Sequence, residues 1–244
     1  MRSENSCILV DAGISAKRIR THLGEMGLTL EDLDGICITH EHGDHIKALP
    51  QLGGKAGIPV YANAETASHI ARKKGYADIT WKIFTTGHTF SIGDLELHPF
   101  SIPHDAMDPV AYTVQSMGKR IGFATDIGLA TRLVKGHLSG CHMLYLETNH
   151  DRLLLEESNR PWSTKQRIAG RQGHLSNESA SELLQAVAGP ELEHVFLGHI
   201  SKDCNQHELA ESTIRLTLKD LGREDVKISL TYADRPASLW SSLT

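Results

Sequence analysis

Six consecutive residues, His40-Glu41-His42-Gly43-Asp44-His45, follow directly on the apolar run ICIT at 36–39. At the end of a strand, side chains two apart project to the same side, so His40 and His42 can converge on one ion. Gly43 lets the chain turn, after which Asp44 and His45 can address a second ion. Imidazole combined with carboxylate suits zinc, manganese or iron rather than calcium. Six residues cannot complete two coordination shells, so more ligands must come from elsewhere. Histidine is the outlier of the composition, at 15 of 244 residues. Three isolated positions stand out: His104 in FSIPHDAMDP, Asp126 in GFATDIG and His199 in HVFLGHIS. Each lies at or just past the end of an apolar run, where an acid or imidazole without a partner is costly. Any one of them alone is more readily a cap or turn residue. One metal cluster above one sheet edge accounts for all three together.

The elements that must carry these residues are short apolar runs at 7–11, 35–39, 58–62, 95–100, 110–115, 120–125, 143–148, 194–198 and 227–232, which read as strands. Helical patterns lie between many of them. SAKRIRTHLGEMG has Ser15 as N-cap, Gly27 as stop and an apolar face of Ile19, Leu23 and Met26. NAETASHIARKKG starts on Asn63, SNESASELLQAVAG on Ser176 with Leu183, Leu184 and Val187 on one face, and ELAESTIRLTLKDLG is a further amphipathic helix. MGKR, between VAYTVQS and IGFAT, predicts a tight hairpin turn. Mixed elements with adjacent strands over 95–125 predict an α/β sandwich rather than a simple doubly wound sheet. No repeat, low-complexity segment or linker-like run interrupts the chain, so a single domain over 1–244 is expected.

Hydrophobic content of 40% and charged content of 23% are ordinary for a soluble globular protein. No stretch approaches the roughly 18 apolar residues of a membrane span. MRSENSCILVDAG has no long apolar h-region and no small-residue cleavage site, so no signal peptide is expected and the chain reads as cytoplasmic. Cys7, Cys37, Cys141 and Cys204 are widely spaced with no CxxC, and no disulfide framework is expected. A net charge of -5 argues against a broadly basic nucleic-acid-binding surface but leaves room for a local basic patch.

The order and settings of these residues over 37–199 resemble the metallo-β-lactamase fold superfamily, whose signature is H-x-H-x-D-H followed by a distant His, an Asp and a last His. The resemblance implies a four-layer αββα sandwich holding two divalent ions, zinc, manganese or iron. His40, His42 and His104 would hold one ion, Asp44, His45 and His199 the other, and Asp126 would bridge them. A closer resemblance covers nearly the whole chain: ITHEHGDHIKAL, PFSIPHDAMDPVAYTV, GFATDIG, LETNHD, PWSTKQRIAGRQGHLSNE and HVFLGHISKDCN are similar to the YycJ/WalJ branch of the superfamily. Members of that bacterial branch are described as DNA exonucleases acting from 5′ ends, which makes DNA the implied substrate. The KQRI…GHLSN block is far more specific than the metal motif, since lactamases and lactonases lack it. One departure concerns the start. The branch usually opens with a strand and a GSGSSGN loop before an LLVDAG strand, whereas CILVDAG here begins at residue 7. Either that first strand is absent or the chain start is cut short.

What the resemblance implies for mechanism is hydrolysis of a phosphodiester at a dinuclear centre, with Asp44 and His174 as catalytic residues. In related phosphodiesterases and tRNA-processing ribonucleases of this fold, a non-ligand His precedes the last metal His by some two dozen residues, the spacing of His174 and His199. This makes His174 the candidate proton donor to the leaving alkoxide; its plain alternative is polar packing beside Ser176. Lys165, Arg167 and Arg171 concentrate positive charge in the same stretch, where phosphate contacts could form, although a solvated helix face explains them equally on composition. Asn149 and His150 read as substrate contacts or as partners of the ligands, Asp11 as a partner of a ligand histidine, Asp203 and Asn205 as turn residues, and Glu41 as a spacer or a support for the ligands. Two other readings compete: a small-substrate hydrolase of the same fold (cyclic phosphodiesterase, lactonase, thioesterase or lactamase), and a metal-binding regulatory module without turnover. The complete ligand set argues against the second. No obligatory protein partner is implied.

Overall fold

Every strand-like run singled out above becomes a strand in the computed structural model, which describes residues 1–232 and 234–241. The chain divides into two compact units, Met1–Ser101 with Ala106–Tyr112, and Ile102–Asp105 with the described residues from Thr113 onward.

In the first unit, β1 (Ile8–Val10), β2 (Gly35–Cys37), β3 (Val60–Asn63) and β4 (Trp81–Phe84) form a parallel sheet in the order β1-β2-β3-β4. Leu9 faces Ile36 and Ile36 faces Val60 in register. β2 is buried along its whole length, as expected of a parallel strand covered on both faces. α1 (Ala16–Glu25) starts on Ser15, whose hydroxyl accepts from Arg18 N, and buries Ile19 and Leu23. α2 (Gly43–Ile46) is a single turn holding half of the histidine motif. α3 (Ala64–Ala71) starts on Asn63, whose side chain accepts from Thr66 N. The core gathers Ile36, Ile38, Ile46, Leu49, Leu52, Val60 and Ile70, all essentially inaccessible, each contributing about 1.5–3 kcal/mol by burial. An antiparallel hairpin of β5 (Phe90–Ile92) and β6 (Leu95–Ser101) completes the unit.

The chain leaves the first unit within β7 (Val110–Ser116), of which Val110–Tyr112 belong to it and the remainder to the second. Met117 and Gly118 turn the chain with φ of 51° and 74°, the pair of positive angles that a two-residue hairpin turn requires. In the second unit, β8 (Lys119–Ala124), β9 (Met143–Glu147), β10 (His194–Gly198) and β11 (Lys227–Leu230) run parallel in that order. Its helices are α4 (Arg132–Leu138), α5 (Arg152–Glu157), α6 (Trp162–Ala169), α7 (Asn177–Val187) and α8 (His207–Asp220). Ser176 caps α7 by accepting from Ser179 N, and the helix buries Ala180, Leu183, Leu184 and Val187.

β4 and β5 were not among the expected strands: WKIF and FSI are short and half exposed, and neither shows a clean alternation. α4, α5 and α6 have only 6 to 8 residues, too few for a 3.6-residue period to declare itself. Among the described residues no strand precedes β1, which lies at the edge of its sheet, and Arg2 makes a single antiparallel bridge to Cys7.

Candidate metal centre

Asp11, the histidine motif, Asp126, Glu147 and His199 sit where parallel strands end, the general location of sites on such sheets. In the first unit Asp11 follows β1 and the histidine motif follows β2. Asp11 adopts φ 60°, a left-handed conformation unusual for a residue with a side chain. Its carboxylate accepts from Thr39 N (2.9 Å) and Thr39 Oγ1 (2.8 Å), and lies 2.7 Å from His45 Nδ1. Because the Thr39 hydroxyl gives its hydrogen to Asp11, its oxygen is an acceptor for His40 Nδ1 at 3.0 Å. Both imidazoles are thereby fixed through Nδ1. His40 Nε2 lies 3.0 Å from His42 Nδ1, and the His40 ring lies 4.5 and 4.2 Å from those of His42 and His45. Asp44 is exposed, with Oδ2 3.7 Å from His45 Nε2. Glu41 is buried at the base of the motif: Oε1 accepts from Met107 N at 2.9 Å, and its carbonyl accepts from Lys73 Nζ. It is a support for the motif, the second of its two readings.

In the second unit the centre of the arrangement is Asp126, 1% exposed and with φ 57°. Thr125 Oγ1 donates to Oδ2 at 2.7 Å. Oδ1 faces three imidazoles, His104 Nε2 at 3.7 Å, His174 Nδ1 at 3.5 Å and His199 Nε2 at 3.5 Å. His104 is oriented by Nδ1 to the Gly173 carbonyl, 3.1 Å. His199, also left-handed at φ 53°, is oriented by Nδ1 to Glu147 Oε1, 3.0 Å. Glu147 is fully buried at the end of β9 and additionally accepts from Ile127 N at 2.8 Å and from His174 Nδ1 at 2.8 Å. Burial opposes its ionisation, but His174 and His199 outweigh that and hold its carboxyl well below the usual carboxylate range. The same pairing raises His174: burial disfavours the imidazolium, and the Glu147 carboxylate, with Asp126 behind it, overcomes the penalty. Burial lowers His104, and outweighs the pull of Asp126 in the other direction.

The polar cluster of each unit, taken by itself, suits a divalent transition metal. Four imidazoles, His40, His45, His104 and His199, have Nδ1 anchored on an oxygen, the orientation that ligating histidines take from their outer partners. The Nε2 atoms of His104 and His199 face one carboxylate oxygen beyond direct hydrogen-bond length, a spacing that an ion between them would fill. Ligand atoms of Asp126, Glu147, His174 and His199 all lie within 4.8 Å of one another.

The five expected substrate contacts separate. Asn149 donates to the His199 carbonyl at 2.9 Å and lies beside its Nδ1, which makes it a partner of that histidine. His150 and Lys165 line one cavity of about 530 Å³, together with His174. Arg167 and Arg171 line another of about 720 Å³, and Arg167 donates to both Asp105 carboxylate oxygens at 2.5 and 3.0 Å. Asn205, read as a turn residue, is buried and exchanges side-chain hydrogen bonds with Asn177 at 3.0 and 2.9 Å. Asp203 pairs with Arg160 at 2.7 Å on the surface. Glu147 is not among the residues expected from the sequence: it lies in LETNHD, two residues before Asn149, and its signal is an acid inside an otherwise apolar strand.

Residues 7–200 match the family model of the β-lactamase superfamily domain. Exodeoxyribonuclease YycJ of Bacillus anthracis is 36% identical over 88% of this chain and 82% of its own length. Exodeoxyribonuclease WalJ of Streptococcus pneumoniae is 38% identical over 95% of this chain and 88% of its own. The metallo-β-lactamase fold protein YhfI of Bacillus subtilis superposes with a TM-score of 0.70 over 95% of this chain and 87% of that one, at 14% identity, a likeness of fold. The αββα fold expected of the sequence is therefore the fold of this chain, which belongs to the β-lactamase superfamily and, within it, to the family of the YycJ and WalJ exodeoxyribonucleases.

Proposed function

We propose that this chain is a metal-dependent phosphodiesterase that degrades DNA as a 5′ to 3′ exonuclease. The observation that carries the reading is the likeness to two exodeoxyribonucleases over 82% and 88% of their lengths. On this reading His40, His42 and His104 would hold one divalent ion, Asp44, His45 and His199 a second, and Asp126 would be shared by both; zinc, manganese and iron all suit the donor set. When bound, such ions supply an activated water and neutralise charge at phosphorus. The protein's own contribution is orientation and a proton. Asp11, Thr39, Gly173 and Glu147 fix the ligand imidazoles. His174, held through Nδ1 by Glu147, keeps Nε2 for the leaving group: as the P–O3′ bond breaks, the 3′-oxygen takes the proton of Nε2, and the Glu147 carboxylate stabilises the imidazolium beforehand. The whole of 1–244 acts as one domain, in the cytoplasm, without an obligatory protein partner. Four buried free cysteines suit a reducing compartment, and among the described residues no helix is long and apolar enough to cross a membrane.

Incubating the protein with manganese and end-labelled duplex DNA, beside the Asp44→Ala variant, tests the reading. Wild type is expected to shorten the DNA and the variant to lose at least a hundredfold in rate. Equal degradation by both would remove it.

A further inference from the structure

The cavity beside His174 has a composition that the ligand set does not explain. One face of α6 supplies Trp162, Lys165, Gln166 and Ala169 to its wall, positions i, i+3, i+4 and i+7 of a single helical stripe. Trp162 is 68% exposed, a large aromatic ring with no burial to account for it. The wall carries two cations, Lys165 and Arg152, the latter with Nε 3.4 Å from Glu178 Oε2 behind it, and Glu156 as the acid among its lining residues. Lys165 Nζ donates to the Glu156 carbonyl at 2.5 Å, which occupies one of the three donors of its ammonium. His150, 2% exposed, also lines the cavity, and its Nδ1 has no hydrogen-bond partner among the described residues. A buried polar atom left in this way is costly until a ligand or water meets it. An exposed aromatic face and two cations around about 530 Å³ match two parts of a nucleoside monophosphate: a base to stack and a phosphate to pair.

We propose that this cavity seats the 5′-terminal nucleotide of the strand being degraded, with its base on Trp162 and its 5′-phosphate against Lys165 and Arg152. The inference rests on the exonuclease reading for the identity of the ligand and deepens it. Hydrolysis that breaks the P–O3′ bond of the terminal nucleotide makes that nucleotide the leaving group, and its 3′-oxygen must meet the proton donor. His174 lies in the wall of the same cavity, so a nucleotide seated there presents its 3′-oxygen to the residue that protonates it. The released product is a deoxynucleoside 5′-monophosphate, which the cavity binds on its own.

Calorimetric titration of the full chain, in chelator, with dAMP, deoxyadenosine and inorganic phosphate tests this without turnover. Wild type is expected to bind dAMP, with quenching of tryptophan fluorescence. Trp162→Ala, at an exposed position that the fold does not need, is expected to weaken dAMP and deoxyadenosine alike by about 5- to 150-fold, the loss of one stacked base. Lys165→Ala is expected to weaken dAMP and to leave deoxyadenosine unchanged. Absence of dAMP binding, or wild-type affinity in both variants, would overturn the inference. The two readings fail separately. DNA degradation by a protein that does not bind dAMP removes the cavity site alone, whereas Trp162-dependent dAMP binding by a protein that leaves DNA intact supports the cavity and removes the exonuclease.

Discussion

Glu147 is the residue on which the second unit's site turns. One carboxylate, wholly buried, anchors His174 and His199 through their Nδ1 atoms. Glu147→Gln keeps the shape and removes the charge. Loss of such an outer partner typically weakens metal affinity or activity about 10- to 100-fold, and manganese titration of the variant is expected to fall in that range. His174 separates from the ligands by function. If it donates the leaving-group proton, His174→Ala lowers kcat on DNA by about 10²- to 10⁴-fold while the metal content measured by mass spectrometry stays that of wild type. A parallel loss of metal would make it a ligand. The residue types at the motif, at His104, Asp126 and His199 were legible because polar residues at the ends of apolar runs break a simple pattern. Glu147 was not, because its significance lies in two histidines 27 and 52 positions away, a relation that only the folded chain brings about.

At the scale of elements, the site depends on strand ends that leave the ordinary backbone regions. Asp11, Asp126 and His199 all adopt positive φ, at a cost of about 1–3 kcal/mol each that surrounding contacts must sustain. Two glycines allow the loops to close on these residues. A Cβ on Gly13 would lie 1.5 Å from the Asp44 carbonyl oxygen, and one on Gly173 would lie 2.2 Å from those of Arg167 and Ile168. In each case the obstacle is backbone, which cannot swing aside. Gly13→Ala and Gly173→Ala are therefore expected to destabilise by at least about 1–3 kcal/mol, read as a lowered Tm; the second also displaces the carbonyl that orients His104 and is expected to weaken metal binding. The capping residues Ser15, Asn63 and Ser176 declared their helices in advance, because a side-chain oxygen ahead of an apolar stripe is a local signal. The short α6 did not. Its eight residues gave only a cluster of basic side chains, and the stripe from Trp162 to Ala169 gained meaning only once a cavity stood beside it.

For the whole molecule, the αββα fold was legible through resemblance far more than through periodicity, since strands as short as β1 and β5 resemble many others. The four cysteines report on integrity. All are buried, and burial pushes the Cys141 thiol from its ordinary 9.0 up to about 11. The folded chain is expected to resist iodoacetamide at pH 8 and to take up four equivalents in urea. A thiol whose pKa is raised by folding contributes stability that is complete below its unfolded value and is lost as pH rises through the folded one, so Cys141 erodes stability between about 9 and 11. The slope of Tm with pH across that window is expected to be shallower in Cys141→Ala. Metal-dependent removal of nucleotides from 5′ ends is open to one time course. The protein is stripped with chelator, given duplex DNA labelled at the 5′ end, and then supplied with manganese. Intact DNA is expected before the metal is added and, at the earliest times afterwards, label released as mononucleotide. Degradation by the stripped protein, or label first appearing in fragments shortened from the opposite end, would contradict it.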